Sequence, residues 1–128
     1  MSNNCIVPVS IGELWDKYTI LLIKKEKISD SQKLMHVKKE IEYLTPFIEK
    51  YNLDEKIQNE LKECNTMLWN IEDKIREKEY EKEFDKEFIE LARSVYYTND
   101  TRAEIKKIIN EIFQSSIFEV KSYKNYKI

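Results

Sequence analysis

All three arginines of this chain, Arg76, Arg93 and Arg102, fall between positions 76 and 102, and every other cationic side chain is a lysine. Arginine carries a planar fork of donors that grips a carboxylate or phosphate at two points and tolerates burial better than an ammonium. Other polar residues gather around the three. Glu72 lies one helical turn before Arg76, Asn99 and Asp100 come just before Arg102, and Lys106 follows one turn later. These types fit an anionic small molecule such as a phosphorylated sugar or a carboxylate metabolite. Arg76, Arg93, Arg102 and Lys106 would meet its charge and Asn99 and Asp100 its hydroxyls, with Glu72 beside Arg76 on the same edge and Lys17, together with Asp16, turning in to close the pocket. A helix starting at 101 would add free amides, an anion-binding feature in itself, although Asp100 as its cap would occupy them. The competing reading makes the arginines internal braces. Asn65, Trp69, Glu72, Arg76 and Glu79 line one helical edge, and an i,i+4 pair such as Glu72–Arg76 contributes about 0.2–0.5 kcal/mol while fixing register.

Other chemistries lack their residues. His36 is the lone histidine, so a Ser-His-Asp triad, a His-rich metal site and the Glu-x-x-His pairs of di-iron bundles are excluded. Cys5 and Cys64 show no metal spacing, and Ser94 has no local base. Gly12 is the lone glycine, which rules out a P-loop or a dinucleotide-binding turn. No metal and no cofactor are expected. Catalysis, if the chain performs any, would rest on positioning and electrostatics. All-helical mutases resembling chorismate mutase, which build their sites from arginines and lysines between helices, offer an analogy.

Helices must position these residues. Two prolines and one glycine in 128 residues favour long helices over a β-sandwich. Ser10-Ile11-Gly12-Glu13 reads as a capping box opening a helix that runs to about 28. Gly12 in its first turn costs about 0.5–1 kcal/mol relative to alanine, which suggests the close approach of another group. Asp16 and Lys17 either face solvent or turn toward the arginine edge. A second helix carries Leu34, Val37, Ile41, Leu44, Ile48 and Tyr51 at heptad spacing, with a kink or break expected at Pro46. A third spans about 54–82 with Ile57, Leu61, Cys64, Leu68, Ile71 and Ile75 inward. Two more are predicted over about 85–96 and 101–114, separated at Thr98-Asn99-Asp100. The expected fold is all-α: one domain over 1–128, a bundle of four to five antiparallel helices. Extended segments cover 1–9 and 115–128, and a minor two-stranded ribbon between them is an option.

A net charge of −2 supplies no basic field for nucleic acid. Lys121, Lys124 and Lys127 interleave with Tyr123 and Tyr126, a pattern that can grip single strands, but a packed or solvated tail is the simpler reading. No apolar run reaches the ~18–20 residues of a membrane span. The first ten residues lack the features of a signal peptide, so a cytoplasmic location is expected.

Three segments carry a resemblance. They are Val7 to Lys17 with Thr19-Ile20-Leu21; Asn65 to Glu79, read as Asn-x-x-Leu-Trp-x-Ile-Glu-Asp-x-Ile-Arg-x-Lys-Glu; and Phe88 to Asn110, centred on Glu-Leu-Ala-Arg-Ser-Val-Tyr and Asn-Asp-x-Arg-Ala. The chain resembles a small family of bacterial and viral proteins classed as a domain of unknown function. Trp15 and Tyr18 depart from it, where smaller aliphatic residues are expected. The resemblance implies one compact domain and, through members found near glycosyltransferase and surface-sugar genes, a link to sugars. Two functions follow as expectations. One is a binding domain for an anionic small molecule. The other is an interaction module that docks to itself as a homo-oligomer or to a glycan-modifying enzyme.

Overall fold

The computed structural model describes residues 3–126; Lys127, the last cation of the tail's basic–aromatic run, lies outside them. Four helices account for the fold: α1 (Ile11–Lys27), α2 (Ser31–Lys50), α3 (Glu55–Glu81) and α4 (Lys86–Ile112). Central α1 packs against all three others, α3 and α4 form an antiparallel hairpin, and α2 packs on α1 alone. This is the all-α bundle that heptad spacing and short turns predict.

The central position of α1 explains its composition. Leu14, Trp15 and Leu21 are buried, as an amphipathic helix requires. A second line, Gly12, Asp16, Thr19 and Ile23, is buried too. The core gathers Leu14, Trp15, Ile48, Leu53, Leu61, Cys64, Ile105 and Ile109. Trp15 Nε1 donates to the Tyr51 carbonyl at 2.8 Å, which ties the end of α2 to α1.

Side chains cap the starts of α1, α2 and α4, whereas Asp54 makes no side-chain cap for α3. Ser10 Oγ accepts from the Glu13 amide at 3.1 Å, one half of the expected capping box. Asp30 and Asp85 cap α2 and α4 in the same way. Lys82 takes the left-handed conformation that closes α3 (φ 57°), and Lys78 draws Glu83, Asp85 and Glu87 around the turn that follows.

Three expectations change. The break at Pro46 does not form: α2 runs through the proline as one element, although Pro46 has no N–H to donate to the Glu42 carbonyl. Thr98-Asn99-Asp100 does not divide two helices but lies inside α4. Cap-forming side chains interrupt a helix when they bond to the local backbone. Here Asn99 accepts from Arg102 one turn along the same helix, and Asp100 from Tyr126 of the C-terminal segment. The Thr98 carbonyl also accepts from Cys64 Sγ at 3.4 Å. Finally, no strand forms among the described residues, so the termini make no ribbon there. Gln114 turns left-handed (φ 52°), Ser115 Oγ donates to the Ile117 carbonyl, and the chain folds back along α4.

Candidate functional site

The first turns of α1 meet α4 along a polar seam. The Gly12 amide donates to Asn110 Oδ1 at 2.6 Å. A Cβ on residue 12 would stand 2.5 Å from the Lys106 carbonyl oxygen, so the glycine permits the close approach its position suggested. Glu13 does not complete the capping box by reaching back to Ser10; its carboxylate accepts from Lys106 Nζ at 2.7 Å.

One turn on, Asp16 is only 1% exposed. Its Oδ1 accepts from Asn65 Nδ2 at 3.0 Å. Its Oδ2 accepts from Arg102 Nε at 3.2 Å and Nη2 at 2.9 Å, and Lys106 Nζ lies 3.8 Å away. Arg102 Nη1 also donates to Asn99 Oδ1 at 3.3 Å. A buried carboxylate is tolerated only when neighbours replace its water, and here α3 and α4 supply them. Lys106 reaches Glu119 as well, at 3.3 Å. Burial draws the Lys106 ammonium down, but Glu13, Asp16 and Glu119 together outweigh burial and hold its pKa above the usual lysine value. Burial raises the Cys64 thiol, with the positive charge of Arg102 opposing.

Beside this seam α1, α3 and α4 enclose a groove of about 430 Å³. Ile20, Ile23 and Lys24 line it from α1; Asn65, Leu68, Trp69, Glu72, Asp73 and Arg76 from α3; Asn99 and Arg102 from α4. Arg76 donates through Nε to Glu72 at 3.1 Å, and its side chain is 79% exposed, so the outer end of the fork faces solvent. Lys24 has no carboxylate partner among the described residues. All three segments that carry the family resemblance contribute to this groove.

The eight residues singled out from sequence divide accordingly. Glu72, Arg76, Asn99 and Arg102 meet in the groove. Lys106 shares Asp16 with Arg102 but lines a different cleft, between α4 and the C-terminal segment. Asp100 accepts from Tyr126 in that same cleft. Arg93 lies apart on the exposed face of α4, its guanidinium 5.9 Å from the centre of the Tyr97 ring. Lys17 pairs with Glu40 of α2 at 2.9 Å. The shared cluster of three arginines is therefore corrected to a groove holding two. The anion site at a helix start is also corrected, since the amides around Arg102 are inside α4. Sequence reasoning did not place Asn110, Glu119 or Lys24 in the site and left Asp16 open between solvent and the arginine edge. A signal for Asp16 was present: Gly12, Asp16, Thr19 and Ile23 repeat at four, three and four residues, a heptad line of small and polar types.

What the fold and site define is an all-α bundle with a buried ionic seam and a mixed aromatic–polar groove. The chain belongs to the family of unknown function DUF6165, which it matches over residues 5–127. No curated protein and no solved structure matches it. Among the described residues no helix is long and apolar enough to cross a membrane, and no group of acidic, histidine or cysteine side chains is arranged to hold a metal ion.

Proposed function

We propose that the groove between α1, α3 and α4 binds a hydroxyl-rich small molecule with one anionic group, of the phosphorylated-sugar or sugar-acid class. The observation that carries this reading is the grouping of Trp69 with Asn65, Asn99, Asp73 and two outward cations, Lys24 and Arg76, around one concavity. A sugar ring presents an apolar face that stacks on indole and a rim of hydroxyls that amides and carboxylates recognise. Its phosphate or carboxylate takes the free end of the Arg76 fork, where a charge-assisted bond is stronger than a neutral one. Arg102 forms the floor of the groove and is held by Asp16.

The test is a thermal-shift and calorimetric screen of hexose phosphates, hexuronates, the free hexoses and inorganic phosphate. A ligand at one hundred times its Kd stabilises the fold by about 2.7 kcal/mol, so a clear rise in melting temperature is expected for the anionic sugars. Trp69→Ala and Arg76→Ala should each abolish it while leaving the protein folded. A flat screen overturns the reading.

A second reading, an interaction module, rests on the outer end of the α3–α4 hairpin. These helices are about 40 Å long against about 26 Å for α1, and their outer end carries exposed Tyr80, Phe84 and Ile89. A homo-oligomer, or a complex with a glycan-modifying enzyme, would cover them. Light scattering of the purified protein tests self-association, and a monomer at all concentrations removes that version.

A further inference from the structure

The C-terminal segment is pinned to α4 at two points. Glu119 pairs with Lys106, and the Tyr126 hydroxyl donates to Asp100. Between these anchors the segment faces α4 across a cleft of about 910 Å³, a size suited to a cofactor-sized ligand. We infer that this cleft is a second ligand site and that it takes a nucleoside phosphate.

Charge is the first observation. Lys107, Lys121 and Lys124 line the cleft and have no carboxylate partner among the described residues. Of the acids there, Glu119 pairs with Lys106, which leaves Asp100, whose partner Tyr126 is an uncharged hydroxyl, and Glu104 without a cation. Three ammonium groups without a carboxylate partner against these two carboxylates leave a positive excess that favours an anionic guest.

Aromatic surface is the second. Tyr96 and Tyr126 stand with ring centres 5.0 Å apart, and Tyr123 lines the cleft and is 80% exposed, with Lys121 Nζ 5.5 Å from its ring centre. An exposed ring beside ammonium groups offers a stacking surface for a base next to donors for its phosphates. The site shares none of its ligand-facing side chains with the groove, so it stands or falls separately.

Calorimetry on the full chain with ADP, adenosine and tripolyphosphate tests the proposal, with a single-stranded oligonucleotide as a further arm. ADP should bind at least about tenfold more tightly than either adenosine or tripolyphosphate, since each of those lacks one half of the contacts. Lys107→Ala, Lys121→Ala and Tyr123→Ala are exposed changes that should each weaken ADP by about tenfold without lowering the melting temperature. Arg76→Ala, in the groove, should leave ADP binding unchanged. Absent ADP binding, tripolyphosphate equal to ADP, ADP affinity insensitive to the cleft variants, or an oligonucleotide binding far more tightly than ADP would each overturn it.

Discussion

Arg102 and Asp16 lie 86 residues apart in sequence, yet two nitrogens of one guanidinium converge on a single carboxylate oxygen of the other. The pair joins α4 to α1, and Asn65 brings α3 to the same carboxylate. Three helices therefore meet at one buried acid. Replacing Asp16 with alanine would leave Arg102 and the buried end of Lys106 short of a counter-charge, and breaking a buried pair costs about 3–5 kcal/mol. Asp16→Ala should lose stability in that range, read as the shift in the urea midpoint. Arg102→Lys keeps the charge but not the fork, and should lose about 1–2 kcal/mol. Wild-type stability in Asp16→Ala would mean that the seam does not hold the helices.

Gly12 is the backbone counterpart of that seam. Alanine there would gain about 1 kcal/mol from helix propensity, but its Cβ would sit 2.5 Å from the Lys106 carbonyl oxygen and 2.8 Å from Asn110 Oδ1. The nearer atom is backbone of a packed helix and cannot swing away. α1 and α4 must separate, at a typical overpacking cost of about 1–3 kcal/mol. Gly12→Ala should therefore lower the melting temperature, and a rise would show that α4 yields freely.

Sequence and structure agree wherever one physical rule acts locally. The heptads of α2 and α3, the cap Ser10, and the burial of Cys64 follow from spacing and side-chain type. They disagree where a tertiary partner decides. Asn99 and Asp100 have the composition of a helix break, but Asn99 accepts from Arg102, which Asp16 of α1 holds in place, and Asp100 accepts from Tyr126, folding back from the tail. Arg93 is as much an arginine as Arg102, but it falls on the face of α4 turned away from α1, and type alone cannot tell the two faces apart. Half of the candidate site was legible because Asn65, Trp69, Glu72 and Arg76 share one helical edge. The α4 half depended on the register between two helices, which the long range of the Asp16–Arg102 contact hides from the sequence.

Lys106 gives the seam a defined pH dependence. Its ammonium is held by Glu13, Asp16 and Glu119, and these carboxylates, against the opposing effect of burial, raise its folded pKa above the value near 10.4 of an unfolded lysine. The folded state thus binds this proton more tightly than the unfolded state does. Its contribution to stability is complete below about pH 10.4 and fades as the pH climbs through the higher folded value. Lys106→Met fills similar volume without charge. Wild type should be more stable than this variant at pH 7–9, and the gap should narrow above pH 10.5. Urea midpoints across that range measure it, and a gap that stays constant with pH would mean that Lys106 acts through packing alone.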